Sequence, residues 1–92
     1  MSRADPPARW FRAGPCPICG QGVLEVWITR RRRLVLVCDE CGTAWFDPAD
    51  RREDAAIIPD NRTYALGDGD VIERAATLEE IAAGGWAGHL EE

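Results

Sequence analysis

A small, metal-stapled α+β domain is the fold class this sequence predicts, and three observations predict it. Two cysteine pairs of identical spacing, Cys16/Cys19 and Cys38/Cys41, flank a stretch long enough for one hairpin. That stretch holds two β-branched and aliphatic runs, VLEVWIT at 23–29 and LVLVC at 34–38, separated by four arginines. A capping signature, Thr77-Leu78-Glu79-Glu80, opens a short apolar segment that Gly84-Gly85 closes. The expected architecture is a β-hairpin enlarged to a three-stranded antiparallel sheet, followed by a short C-terminal helix.

Residues 1–13 form an N-terminal arm that Pro6-Pro7 keeps irregular or extended, with Trp10 and Phe11 able to pin it to the body. The two runs that follow are rich in strand-forming side chains, which places Arg30–Arg33 at the hairpin tip. Alternation puts Val23, Glu25, Trp27 and Thr29 on one face and Leu24, Val26 and Ile28 on the other. Both faces are largely apolar, so cover is expected on each. Thr43–Phe46 reads as a third strand, ended by Asp47-Pro48. Residues 49–54 are charged and exposed, with room for one helical turn. Ile57-Ile58 and Tyr64–Leu66 are short apolar patches, and Gly67–Asp70 is a turn leading into Val71-Ile72. The Thr77 hydroxyl and the Glu80 carboxylate complete a capping box, so a helix runs over 78–83 with Leu78, Ile81 and Ala82 facing inward. A helix this short forms only when docked on something else. The chain divides into the arm at 1–13, a cysteine-bearing unit at 14–47 and an acidic extension at 48–92.

The cysteines carry the chemistry. In Cys16-Pro17-Ile18-Cys19-Gly20 and Cys38-Asp39-Glu40-Cys41-Gly42 a tight turn presents two sulfurs to one ion, and the glycine after each second cysteine supplies a positive φ. Backbone N–H groups in such a turn point at the sulfurs and offset their charge. Pro17 is compatible, since the amides facing the first sulfur come from later residues. Eighteen residues separate Cys19 from Cys38, inside the 15–20 interval of the C-x2-C zinc pattern. A hairpin fills that interval and returns the chain to the same metal. One Zn2+ held by Cys16, Cys19, Cys38 and Cys41 is the expected cofactor; an iron tetrathiolate is geometrically allowed. A chain of 92 residues buries a thin core and needs such a staple. Four thiolates complete a tetrahedron and leave no open position, so the ion holds the fold and does not activate water.

CPICG, CDECG and the hairpin between them resemble the zinc ribbons, over about residues 14–47. The resemblance implies the fold and the metal, and little about function, because zinc ribbons serve transcription factors, polymerase subunits, topoisomerases, ribosomal proteins and enzyme appendages. The whole chain is also similar to small bacterial zinc-ribbon proteins with a tryptophan after the second knuckle, here Ala44-Trp45, and a T-L-E-E-I helix leading to G-W. That similarity brings no activity with it.

Composition narrows the partners. The formal charge is −5, and residues 51–92 carry the acidic excess, with four Arg against ten acids. A global attraction to nucleic acid or anionic membrane is thereby disfavoured, so any such contact must be local. There is no lysine, and Ala, Gly and Arg abound, the bias of a GC-rich genome, so Arg-for-Lys choices carry no site information. No apolar leader stands at the N-terminus and no run reaches membrane-spanning length, so the expected compartment is the cytoplasm, where paired cysteines favour metal over disulfides.

Arg30, Arg31, Arg32 and Arg33 can engage phosphates from the tip, or serve as a solvated turn balancing the acidic extension. Trp10, Trp45 and Trp86 can form a partner interface, or, with Trp27, supply a core otherwise short of large side chains. Asp68 and Asp70 faintly suggest a calcium loop whose later ligands are missing, and His89 is surplus to four better ligands. No nucleophile has a base partner in view, so no catalysis and no small-molecule substrate are expected. The leading functional reading is a non-catalytic module that binds another protein, as an adaptor or in an immunity-type pairing. The alternative is a transcription-associated nucleic-acid binder using the arginine tip.

Overall fold

The computed structural model describes residues 11–90. Its strands are β1 (Arg12–Pro15), β2 (Val23–Thr29), β3 (Leu34–Cys38), β4 (Ala44–Trp45) and β5 (Ile72–Ala75), followed by one helix, α1 (Leu78–Ala83). All five strands join one sheet, two more than the sequence predicts, and every pairing is antiparallel. The hairpin strands fall where the β-branched runs place them. The third strand is shorter than expected, at Ala44–Trp45, and is extended sideways by a bridge between Ala44 and Ile57.

The two added strands explain each other. β3 lies along one edge of β2, from Leu24 opposite Cys38 to Ile28 opposite Leu34. The other edge is shared: β1 takes the Val23–Glu25 end and β5 the Trp27–Thr29 end. Val26 is the hand-over point. Its N–H donates to the Phe11 carbonyl at 3.1 Å and its carbonyl accepts from Ala76 N–H at 3.1 Å. RAGP and IERA are poor strand sequences, with Gly, Pro and charges where β-formers belong, and they are strands only because β2 offers them backbone partners. β1 also crosses the position that sequence alone uses to divide arm from cysteine unit.

Both faces of the sheet are covered, as the alternation requires. Leu24, Val26, Ile28, Leu36 and Trp45 pack on one side with Ile81, and Phe11, Leu34, Trp86 and Leu90 close around them. Val35, Ala44, Leu66 and Ile72 pack on the other with Trp27, Val37, Phe46 and Ile57. Trp27 therefore lies across the sheet from Trp45 and Trp86, not in one cluster with them.

The helix begins on the predicted capping box: Glu80 N–H donates to the Thr77 hydroxyl at 3.2 Å and Thr77 N–H to the Glu80 carboxylate at 2.9 Å. Its inward face is narrower than the sequence implies. Ile81 is fully buried, whereas Leu78 is 53% exposed and Ala82 faces solvent. A six-residue helix has under two turns, and its far end docks by backbone: Gly84 rests against the end of the Leu34 side chain, which would have to shift to admit a methyl.

The acidic extension folds back onto the hairpin tip. Thr29 N–H donates to the Arg33 carbonyl and Arg32 N–H to the Thr29 carbonyl, both at 2.9 Å. Arg30–Arg32 is thus a three-residue loop whose last residue, Arg32, has φ 68°, a left-handed position that normally takes glycine. Asp70 grips this loop from outside. Its buried carboxylate accepts from Arg31 N–H at 3.1 Å, Val71 N–H at 2.9 Å and Arg33 Nε at 3.0 Å. Burial alone would push its carboxyl up, but hydrogen bonds from Thr29, Val71, Arg33 and Arg31 outweigh burial and hold it well below the usual range. The turn at 67–70 is therefore an anchor and not a bare connection.

Asp70→Asn keeps the shape and removes the charge. A loss of about 2 kcal/mol is expected, the lower part of the range for charge-assisted bonds because Arg33 is partly solvated. A depressed carboxyl stabilises the fold above its unfolded value, near pH 4, and loses that contribution as pH falls further. Urea midpoints of the two chains should thus differ most at neutral pH and converge below about pH 4, with acid effects common to both cancelling in the difference. A gap that does not change with pH would contradict this account of Asp70.

Candidate metal centre

The hairpin brings the two knuckles together at the end opposite its tip. Cys16 directly follows β1 and Cys38 ends β3, so Leu24, paired to Cys38, fixes the distance between the turns. Gly20 N–H donates to the Cys16 carbonyl at 3.0 Å and Gly42 N–H to the Cys38 carbonyl at 3.2 Å. Gly20 and Gly42 have φ of 68° and 79°, the positive values their positions call for. The turns are two copies of one device, as their sequences indicate.

The four sulfurs lie within 4.8 Å of one another. Cys16 and Cys41 Sγ are 3.7 Å apart, and Cys19 and Cys38 Sγ 3.6 Å. A tetrahedron with metal–sulfur bonds of about 2.3 Å has edges of about 3.8 Å, so the donor set fits a tetrahedral thiophilic ion. All four are free thiols. Their burial is graded: Cys16 and Cys38 are buried, Cys19 intermediate and Cys41 exposed.

Amides converge on the sulfurs. Cys16 Sγ accepts from Ile18 N–H at 3.4 Å, Cys19 Sγ from Gly22 N–H at 3.4 Å, and Cys38 Sγ from both Glu40 and Cys41 N–H at 3.3 Å. The Ile18 bond shows why Pro17 is harmless, since its missing N–H is not needed. The chain's own groups pull the Cys19 thiol down to about 6, through the N–H of Gln21 and then of Gly22. Burial pushes Cys38 up to about 12 against the amides that face it. Cys41 is also drawn down, because bonds from Thr43 outweigh its burial. Anionic sulfur is thus favoured at Cys19 and Cys41 and resisted at Cys38, where a bound divalent ion would supply the compensating charge.

Three contributors carry no obvious sequence signal as ligands. Gly22 has ordinary φ, yet a methyl there would overlap the Cys38 sulfur and crowd Asp39 and Glu40. The Asp39 carboxylate accepts from Val23 N–H at 2.9 Å, tying the second knuckle to the start of β2. The Thr43 hydroxyl lies 3.2 Å from Cys41 Sγ. The one available signal was the second glycine of Cys-Gly-Gln-Gly, redundant for the turn and so free to serve a close approach.

The other residues singled out by sequence are dispersed. Arg33 is committed: its guanidinium pairs with Asp68 at 2.5 Å and Asp70 at 3.0 Å and stacks 4.2 Å over the Phe46 ring. Arg32 reaches Glu80 at 3.9 Å, and Arg31 lies against Gly69. Trp45 is fully buried, and its indole N–H donates to the Arg52 carbonyl at 3.0 Å, so it belongs to the core and cannot face a partner. Trp86 is half-buried against that core. Trp10 lies outside the described residues. His89 sits in a short 3-10 turn away from the sulfur cluster. Among the described residues no other group of His, Cys, Asp or Glu is placed to hold a metal, and no helix is long and apolar enough to cross a membrane.

No protein-family model, curated protein or solved structure matches this chain.

Gly22→Ala should weaken metal binding while leaving all four cysteines in place, because its methyl displaces the Cys38 sulfur. A drop of tenfold or more is expected, in the range seen for groups that orient ligands, measured by competition with a chromophoric chelator. Gly88→Ala, where an added methyl meets nothing within 4 Å, should bind metal like the native chain. Equal affinities for all three chains would remove Gly22 from the site.

Proposed function

We propose that this chain is a zinc-stapled protein of zinc-ribbon type that works by binding another protein and catalyses no reaction. The observation that carries the reading is the four-sulfur cluster with an amide or hydroxyl directed at every sulfur. Cys16, Cys19, Cys38 and Cys41 would hold the ion, and four thiolates fill a tetrahedral coordination sphere, which leaves no place for water or substrate. Zinc is preferred to iron because a closed site remote from any other functional group calls for a redox-silent ion. Apparent binding energies of about 10–16 kcal/mol are typical of such centres, comparable to the whole stability of a small domain.

The choice of a protein partner rests on charge. The net −5 works against a phosphate backbone, and Arg33 at the tip is paired with two carboxylates of the chain itself. Nucleic-acid binding through Arg30, Arg31 and Arg32 is the rival reading. A non-catalytic role in a reducing compartment follows from the same premises.

Purified protein should contain one equivalent of zinc and lack the visible absorption of a ferric tetrathiolate. Excess chelator should abolish its circular-dichroism signal cooperatively, and Cys38→Ser should fail to hold the ion. Because binding displaces thiol protons, affinity should fall as pH falls. A metal-free chain that stays folded would sink the proposal. Replacing Arg30, Arg31 and Arg32 by serine should leave retention of DNA and RNA unchanged at low salt; a marked loss would favour the rival.

A further inference from the structure

We propose that the sheet face turned away from α1 carries a slot for a cationic side chain, the guanidinium or ammonium group of a basic partner protein. This rests on the protein-binding reading and supplies its chemistry. The slot holds about 210 Å³ and is walled by Trp27, Val37, Tyr64, Ile72 and Glu73. Small-molecule sites usually run to about 300–1,000 Å³, so this one is scaled to a single long side chain. Val37 and Ile72 offer apolar wall to methylenes, while the two rings and Glu73 offer attraction to a terminal charge.

The polarity of the slot is set from behind. Glu25 lies on the same face of β2 as Trp27, is only 4% exposed, and accepts the Trp27 indole N–H on Oε1 at 3.3 Å. Its Oε2 has no hydrogen-bond partner among the described residues. A carboxylate bound to an indole N–H pushes electron density into the ring, and tryptophan is already the best aromatic acceptor of cations. Glu73 adds a second carboxylate at the rim. Two aromatic rings and one acid around a narrow space, with a second acid behind the indole, disfavour an anion and suit a cation that brings its own apolar stem.

Tyr64 makes the arrangement specific. Its φ is 61°, a conformation costly for an aromatic residue. It is fixed on both sides: its N–H donates to the Asp60 carbonyl at 2.9 Å, and its carbonyl accepts from Ile72 N–H at 3.0 Å. Asp60 locks the turn by accepting from Arg62 and Thr63 N–H at 2.8 and 2.9 Å. The outcome is an aromatic ring left 56% exposed beside the indole. The wider cleft between the tip and α1 lacks this character, because its Arg33 and Glu80 are already paired within the chain.

The test is an NMR titration of the metal-loaded full chain with N-acetyl-arginine amide and N-acetyl-lysine amide, with N-acetyl-citrulline amide as the neutral isostere of arginine. Saturable shifts of the Trp27 indole N–H and the Tyr64 and Glu73 amides are expected with either cation, at millimolar affinity. Glu73→Gln and Tyr64→Ala should each weaken them about two- to fivefold, with the amides of the four cysteines unmoved as proof of fold. No saturable shift, or equal shifts with citrulline, overturns the proposal. A partner cross-linked in the host that holds the Glu73→Gln chain as tightly as the native one also overturns the slot, yet leaves the protein-binding reading standing. Failure of the native chain to hold any protein overturns that reading and, with it, the slot's assignment to a partner.

Discussion

Four sulfur atoms confined within 4.8 Å impose the condition that the remaining structure is arranged to meet. Thiolates at that separation repel one another strongly in a partly buried setting, and a divalent ion converts the repulsion into bonds. To reach one point, the two knuckles must be delivered by strands of matched length, which is what the register of β2 and β3 achieves. Gly22 lets the second knuckle approach, and Asp39 binds it to the start of β2. The sulfurs are then buried unevenly, Cys16 and Cys38 toward the core and Cys41 toward solvent, so one edge of the centre stays accessible to chelators and competing thiols.

A hairpin alone would leave β2 with an open edge and two uncovered faces. The chain solves both with segments that have little structure of their own. β1 and β5 lie end to end along the free edge, meeting at Val26. α1 covers one face through Ile81, and the 57–72 stretch covers the other through Ile57, Leu66 and Ile72. Each such segment depends on β2 more than β2 depends on any of them. Loosening at the sulfur cluster is therefore expected to propagate through β2 to both ends of the chain.

What could be read from sequence divides along this line. The hairpin, the knuckles, the capping box and the positive φ of Gly20 and Gly42 were legible because each is encoded within a few consecutive residues. β1 and β5 were not, since RAGP and IERA become strands only through a neighbour distant in the chain. Leu78 looked like a core residue by helical spacing, but with only Ile81 reaching the sheet the helix has no room for a second inward position. Trp45 and Trp27 could not be assigned to opposite faces without the register of β4. Asp70 carried a turn signature that was right, while its burial depended on where Arg33 would land.

That last contact also bears on partner choice. A run of four arginines beside an acidic extension is ambiguous as sequence, because each can act alone or cancel the other. In the folded chain they meet: Asp68 and Asp70 take Arg33, Glu80 faces Arg32, and Arg74 pairs with Glu80 at 2.6 Å. Such pairs contribute little stability where they are exposed, but they decide which charges remain for a partner. The tip retains less positive potential than its sequence advertises. On the opposite face of the sheet Glu73 stands exposed, with Arg74 near enough for a through-space attraction, while Glu25 is buried. Charge left uncancelled after folding, and not charge counted along the chain, sets the sign of an approaching surface. By that measure the arginine tip belongs to the architecture that holds the acidic half in place.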